Sequence, residues 1–250
     1  MPTAILFGLC LVPIALGNKG ALPNIDAERI GLRKLYCHSP VGVVGAAAAG
    51  FTNAPLMALG PVFGAEIGLG VEGVSYFMAI FLLGSLTLQF PISRLSDKDD
   101  RRSVLIGVTV ASAVACAAMT ILSTLGTWPI LATSFAIGGL SAVVYPIAMA
   151  HANEDANPEA MFSIMAGLLL AFGVGAGISP FFAALAMKWA GPVGLYLYCA
   201  VIYTSLAGFT LYRRTRRAPT PETTDFVAQP QTSQSSDVVV GLDPRTDGIE

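Results

Sequence analysis

The residues of this chain that could form ion pairs are concentrated in one segment, residues 93–102. Four basic and three acidic side chains lie within these ten residues, between two apolar stretches at 74–92 and 104–122. Each stretch is long enough to cross about 30 Å of hydrocarbon as a helix, and charges at this density cannot lie inside a bilayer. The segment is therefore expected to be a short loop at a membrane face, and its basic residues favour the cytoplasmic face.

Residues suited to catalysis or metal binding are few. The chain has two histidines, neither with metal-ligand spacing, and no serine lies in a G-x-S-x-G motif. His151, beside Glu154 and Asp155, has two interpretations: a solvated loop histidine, which is favoured, and a proton sensor. An intramembrane serine hydrolase that uses His151 is a further hypothesis, but the pattern indicates no enzyme, no metal site and no cofactor.

Composition predicts the elements that must position these residues. The 250 residues are 54% hydrophobic and 12% charged, with a mean hydropathy of +0.67. Soluble domains carry about 25% charged residues, so the chain is predicted to be an all-α, multi-pass membrane protein, with no indication of nucleic-acid binding. Four regions are predicted: a partial transmembrane helix at 1–17, a cytoplasmic basic loop at 18–39, a six-helix transmembrane bundle at 40–212, and a disordered cytoplasmic tail at 213–250.

The bundle is predicted from six apolar stretches, each long enough to span a membrane. Their bounds are 41–64, 74–92, 104–122, 129–150, 160–187 and 191–212. Ser39-Pro40 and Asn157-Pro158 place a capping residue before a proline, which is a signal for the start of a helix. No Asp, Glu, Lys or Arg lies within any of these stretches, so a titrating residue for ion coupling would have to lie elsewhere.

The distribution of basic residues predicts the orientation. Of the fourteen Lys and Arg residues, four precede the first full span, four lie in the charged segment and five follow the last span. Only Lys188 falls on the opposite face, so the charged segment and the C-terminal tail are both predicted to be cytoplasmic. Trp128 and Trp189 fall on the other face, where an amphipathic ring is favoured at the membrane interface.

The charged segment resembles the cytoplasmic loop motif of the major facilitator superfamily. That motif is Gly, three residues, Asp, a basic residue, any residue, Gly, and two basic residues. Its six defined positions are occupied here by Ser93, Asp97, Lys98, Asp100, Arg101 and Arg102. Ser93 keeps a small residue, whereas Asp100 in place of the second glycine departs from the motif. The resemblance covers about residues 4–217, and residues 145–151 are similar to the bacterial YcaD-type branch.

The resemblance implies a fold and a role for the segment. Members of the family have twelve helices in two halves, with this loop between the second and third helix of each half. The chain is then similar to a C-terminal half plus the end of the preceding helix. In the family the motif aspartate meets a helix end of the other half, and the basic residues pair with acids. Asp97, Arg101 and Arg102, with Ser93 and Lys98, would form such a conformational latch here.

The resemblance also implies a solute cavity lined by the first and fourth spans. The residues expected there are Thr52 and Asn53 on the first span and Ser141 and Tyr145 on the fourth, with Gln89 of the second span as a further candidate. Asn53, in a span broken by glycine and proline, either binds solute or makes an interhelical hydrogen bond. Tyr145, before Pro146, is either part of a kinked cavity wall or an ordinary packed tyrosine. Gln89 either reaches the cavity or satisfies a neighbouring polar group.

Small residues of the fifth span are expected to form a helix-packing surface, because they allow backbones to approach closely. A hinge between transport states is the alternative. The residues are Gly167, Gly173, Gly175, Gly177 and Pro180.

The resemblance implies a secondary transporter, or its C-terminal half, that moves a small solute by alternating access in the bacterial inner membrane. The expected partners are the solute, the lipid bilayer, and an N-terminal half-transporter or a self-associated copy. The alternative is a truncated or accessory membrane protein without transport activity of its own.

The predicted orientation is testable by labelling single cysteines, placed in a cysteine-free background, from outside intact cells. A cysteine at Asp99 or Ser235 should escape an impermeant maleimide, and one at Gly126 should react, because the basic residues hold the first two positions inside. External labelling at position 99 would contradict the orientation.

Overall fold

The computed structural model of the protein describes residues 31–98, 100–154, 156 and 158–216, and all the regular structure in this part is helical. The predicted helix at 1–17 and the tail beyond residue 216 lie outside the described residues. Seven helices occur in the described part: α1 (Leu32–His38), α2 (Pro40–Glu66), α3 (Gly70–Lys98), α4 (Arg101–Leu122), α5 (Thr127–Ala152), α6 (Pro158–Ala190) and α7 (Gly194–Arg216). The last six are long and apolar enough to cross a membrane, which confirms the prediction of an all-α, six-span bundle.

Helix α2 begins at Pro40, as the Ser39-Pro40 capping signal predicts. The Ser39 hydroxyl accepts a hydrogen bond from the Gly42 amide at 3.3 Å, and Pro40 occupies the first helical position. The cap satisfies an amide that has no partner within the helix, and the proline removes another. The first span therefore begins where its local chemistry places it.

The third and fourth helices are longer than their apolar stretches. Helix α3 continues from the apolar stretch through Lys98, and α4 begins at Arg101. The charged segment is therefore mostly two helix ends and not the loop expected for it. Hydropathy marks only the part of a helix that lies in hydrocarbon, whereas backbone hydrogen bonding continues into water without a break.

Helix α1 lies within the region predicted as a basic loop. Its Leu35 is fully buried and packs with Ala46 of α2, Ala152 of α5, and Ile164 and Leu168 of α6. One apolar side chain in a short basic helix therefore fixes the chain at the entrance to α2.

The bundle is built from three extensive helix contacts: α2 with α6, α3 with α5, and α4 with α7. Helices α2 and α5 also pack on each other. Phe63 of α2 lies between Phe77 of α3 and Tyr196 of α7, with ring-centroid distances of 5.9 and 4.7 Å. This aromatic group joins three helices in the core.

Glycines allow the closest of these contacts. A Cβ atom added at Gly84 of α3 would overlap the Phe135 carbonyl of α5, and one at Gly138 of α5 would overlap the Phe81 carbonyl of α3. The two glycines are thus reciprocal, since each allows the close approach of the helix that carries the other. An added Cβ at Gly50 of α2 would overlap the Phe172 carbonyl of α6 in the same way. Backbone-to-backbone approach of this kind is a common way for membrane helices to associate.

Helices α3 and α6 are the least covered of the spans. Within an apolar stretch of 18 residues in each helix, only 17% of the residues of α3 and 22% of those of α6 are buried, against 56% for both α2 and α5. Large apolar side chains are exposed along both, among them Leu82, Leu86 and Phe90 on α3 and Phe162, Leu169, Val174 and Phe181 on α6. These two helices therefore leave apolar surface for lipid or for another protein element.

The reciprocal glycines predict a matched pair of stability effects. Gly138→Ala should destabilise the protein by about 1–3 kcal/mol, because α3 and α5 must separate to admit the methyl group. Gly107→Ala in α4 is the control, since an added Cβ there meets nothing within 4 Å; it should be neutral or stabilise by up to about 1 kcal/mol. Unfolding by SDS in mixed micelles measures both. Equal destabilisation by the two variants would contradict the packing.

Candidate functional site

The charged segment joins two helices with only residues 99 and 100 between them. Ser93 is partly buried near the end of α3. The side chains of Asp97 and Lys98 lie outside the described part, so their assignment to a latch stays a prediction. Arg101 and Arg102 form the first turn of α4, where their contacts are described.

Asp100 is the N-cap of α4. Its carboxylate accepts hydrogen bonds from the Arg102 amide at 3.2 Å, the Ser103 amide at 3.3 Å and the Ser103 hydroxyl at 2.8 Å. Partial burial acts to raise the pKa of Asp100, but these hydrogen bonds and the positive charge of Arg214 hold it below its usual value. The backbone there has a φ of −56°, which needs no glycine. Asp100, where this chain departs from the family motif, therefore acts as the cap at the start of α4.

Both arginines of α4 hold the end of α5. Arg101 Nη1 donates to the Ala150 carbonyl at 2.7 Å, and Arg102 Nε donates to His151 Nε2 at 3.3 Å. His151 Nδ1 lies 3.1 Å from Glu154 Oε2. Cations near the last turn of a helix complement its unpaired carbonyls and its dipole. These contacts, with Arg214 near Asp100, define the charged end of the bundle.

The expectation of a solvated loop histidine is wrong. His151 lies in the last turn of α5, and its side chain is only 9% exposed. The predicted span stops at residue 150 because the following residues are polar. The helix nevertheless continues to Ala152, since α4 supplies partners for its polar end.

Two of the predicted cavity residues are brought together in the core. Thr52 and Ser141 are buried, and their hydroxyls donate within their own helices, to Ala48 O at 3.0 Å and Gly138 O at 3.1 Å. The phenol oxygen of Tyr203 in α7 is buried close to both hydroxyls, without a well-aligned hydrogen bond to either. Three hydroxyl groups from α2, α5 and α7 thus meet in the centre of the bundle.

Tyr203 is absent from the sequence prediction, although a periodic signal marks its face. Buried residues of α7 recur at alternating spacings of three and four, namely Tyr196, Cys199, Tyr203, Leu206 and Thr210. This is the pattern of a helix face directed into a core. The periodicity identifies the face, but only the structure places the hydroxyl beside the other two.

The other three predicted cavity residues are more accessible. Asn53 on α2 is half-buried, as is Tyr145 on α5, whose ring packs edge-on against Phe172 at 5.1 Å between centroids. Gln89 is exposed on α3, a different helix. The five residues therefore divide into a buried pair, two partly exposed residues on α2 and α5, and one on α3.

The glycines of α6 do not share one environment. Gly167 lies against Leu35 of α1, and Gly175 lies against the backbone of α2. At Gly173 and Gly177 an added Cβ would meet nothing within 4 Å among the described residues. The predicted packing surface is thus occupied at two positions and open at two.

Pro180 interrupts the hydrogen bonding of α6 at the Ala176 carbonyl, because proline has no amide to donate. The Ser179 hydroxyl is 3.5 Å from this carbonyl and 3.4 Å from the Gly50 carbonyl of α2. The proline site is therefore compensated by a long bifurcated contact that also joins α6 to α2.

An open apolar groove of about 450 Å³ lies between α2, α6 and α7. Its walls include Phe51, Phe182, Leu185, Trp189, Tyr198 and Ile202. It is separate from the charged end, and its lining offers no charged group.

The sequence pattern of the Major Facilitator Superfamily matches residues 42–240. An uncharacterized MFS-type transporter of Enterobacter sp. (strain 638) is 26% identical over 74% of this chain and 47% of its own length. The uncharacterized MFS-type transporter YcaD of Escherichia coli O17:K52:H18 is 31% identical over 66% of this chain and 42% of its own length. YcaD of Shigella flexneri is 30% identical over the same shares. No solved structure matches the chain.

The chain thus spans less than half the length of these curated relatives. The family match covers five of the six spans completely and nearly all of the first. The charged segment also lies at its expected place, between the second and third spans of the helical bundle. The chain is therefore a multi-pass membrane protein of the major facilitator superfamily, and it is similar to the YcaD-type transporters.

Proposed function

We propose that helices α2–α7 form one half of a secondary transporter that moves a small solute across the bacterial inner membrane by alternating access. The observation that carries this proposal is the low burial of α3 and α6. Only 17% and 22% of the residues in their apolar 18-residue stretches are buried. A second bundle seated on these helices would cover apolar surface that one bundle leaves open. Relatives about twice as long as the matched region have room for such a second half.

The proposed solute path runs along the accessible surfaces of α2 and α5. Asn53 and Tyr145 are the residues best placed to bind solute, because both are partly exposed. Thr52 and Ser141 donate their hydroxyl hydrogens to carbonyls of their own helices. Toward a solute they could therefore act as hydrogen-bond acceptors but not as donors. Gln89 is exposed on α3, and it belongs to the path in a conformation in which this side of α3 borders the path.

The proposed latch comprises Ser93, Asp97, Lys98, Arg101 and Arg102. Arg101 and Arg102 already bind the end of α5 within this bundle. They therefore support the latch by fixing the start of α4, and Asp97 is the residue proposed to reach the other half. In this proposal the charged end and the C-terminus face the cytoplasm, where positive residues are retained.

A second candidate is an accessory protein that associates with another copy of itself. The open positions Gly173 and Gly177 favour it, because small residues on an exposed helix face allow another helix to approach closely. Both candidates place a protein partner on α6, and they differ in whether solute moves.

Reconstitution into liposomes separates the two candidates. The purified chain alone should give no more flux than empty liposomes for a panel of radiolabelled neutral, anionic and cationic solutes. Co-reconstitution with a separately expressed N-terminal six-span half should give saturable flux of at least one of them. Saturable flux by the monomer would contradict the half-transporter proposal. Self-association with no flux in either preparation would favour the accessory protein.

The latch predicts a specific effect of Asp97→Asn in the paired halves. Loss of a carboxylate at a helix N-terminus costs about 1 kcal/mol, so the closed state should lose roughly fivefold in population. Cytoplasmic labelling of an Asn53→Cys variant by an impermeant maleimide should then accelerate by a similar factor. Arg94→Gln is the control from the same helix, because the Arg94 guanidinium lies over the Phe90 ring and occupies an unspecified position of the motif. Equal labelling in the two variants would contradict a latch role for Asp97.

A further inference from the structure

His151 joins the first turn of α4 to the last turn of α5. Its ring is almost enclosed, with 9% of the side chain exposed, and each ring nitrogen has one polar neighbour. Arg102 Nε lies 3.3 Å from Nε2, and Glu154 Oε2 lies 3.1 Å from Nδ1. The imidazole therefore connects a cation on α4 with a carboxylate that follows α5.

The two contacts require one protonation state of the ring. Arginine has only donors, so Nε2 must present its lone pair to Arg102. The carboxylate is an acceptor, so Nδ1 must carry the hydrogen that it receives. A neutral imidazole with its proton on Nδ1 meets both requirements. A second proton on Nε2 would remove the acceptor, place N–H against N–H, and put two positive groups in contact.

The charged groups that face the ring, among the described side chains, come from both sides. Arg102 of α4 opposes a positive charge on the imidazole, whereas Glu154 and Asp100 favour it. Arg214 of α7 acts on Asp100, which is also the cap of α4. At this end α2 approaches Ala148 and Ala152 of α5 through Gly42, which carries no charge. Protonation of His151 therefore breaks its contact with α4 and strengthens its contact with Glu154.

We propose that His151 is a proton-sensitive positioning residue that controls how firmly α4 is attached to α5 at the charged end. In its neutral form it holds the Arg102 guanidinium. When it binds a proton, Arg102 is released, and the Arg101 hydrogen bond to the Ala150 carbonyl remains as the described polar contact between the two helix ends. This inference concerns the attachment of two helices within one chain, so it does not depend on transport.

The test is hydrogen–deuterium exchange of the purified chain in lipid nanodiscs at about pH 8 and about pH 5, the two ends of the range in which histidines change charge. His151→Gln is the main variant, because its side-chain oxygen can accept from Arg102 but does not bind a proton at either pH. Wild type and variant are compared at the same pH, so that the intrinsic pH dependence of exchange cancels. In wild type, peptides at 101–106 and 148–154 should exchange roughly tenfold faster than in the variant at the lower pH, and equally at the higher pH.

Two further variants complete the design. His38→Gln replaces the other histidine, which is exposed on α1, and should behave as wild type. Arg102→Gln removes the cation that opposes the proton, so it should reduce the pH response of the 148–154 peptide. Identical exchange of wild type and His151→Gln at both pH values would overturn the proposal. So would a pH response that disappears in His38→Gln and persists in His151→Gln.

Discussion

The bilayer offers no hydrogen-bond partner to a polar group, and the organisation of this bundle follows from that constraint. Buried hydroxyls return their protons to backbone carbonyls of their own helices, as Thr109 does to Leu105 and Ser112 to Val108, both at 2.7 Å. Few side chains remain to join helices by polar contacts. Ser134, which donates to the Phe77 carbonyl at 3.2 Å, is one of them. Helix association in the middle of the bundle therefore depends on shape, and glycines at the closest crossings provide it.

Among the described residues, the contacts in which charged side chains join two helices lie at the charged end. There Asp100 caps α4, and the arginines that follow it bind the last turn of α5. The Asp100 carboxylate and the Arg101 guanidinium bond backbone groups that the helix ends leave unpaired, so these charged residues complete the helices that they contact. The two arginines are thus already bonded within the bundle. Asp97 is proposed to contact another half because it occupies the aspartate position of the family motif.

Much of the fold is predictable from the sequence, because the length and hydropathy of six stretches are sufficient to identify spans. The Ser39-Pro40 start is equally predictable, since capping is a local property. Hydropathy contains no signal for the extension of α3 to Lys98, because it marks only the part of a helix that lies in hydrocarbon. The helix around Leu35 and the enclosure of His151 depend on neighbours far along the chain, which hydropathy does not indicate either. The candidate site is only partly predictable for the same reason. Thr52 and Ser141 are recognisable as polar residues in apolar spans, but their meeting with Tyr203 is a consequence of packing.

The two-residue connection between α3 and α4 restricts the mechanics of the bundle. Three Cα-to-Cα steps separate Lys98 from Arg101, so these two helix ends lie within about 11 Å of each other in any conformation. Because α4 is in turn bonded to the end of α5, a displacement of α3 at this end pulls on both following helices. The connection therefore limits how far α3 and α4 can separate at the charged end, whereas no covalent connection joins their opposite ends to each other.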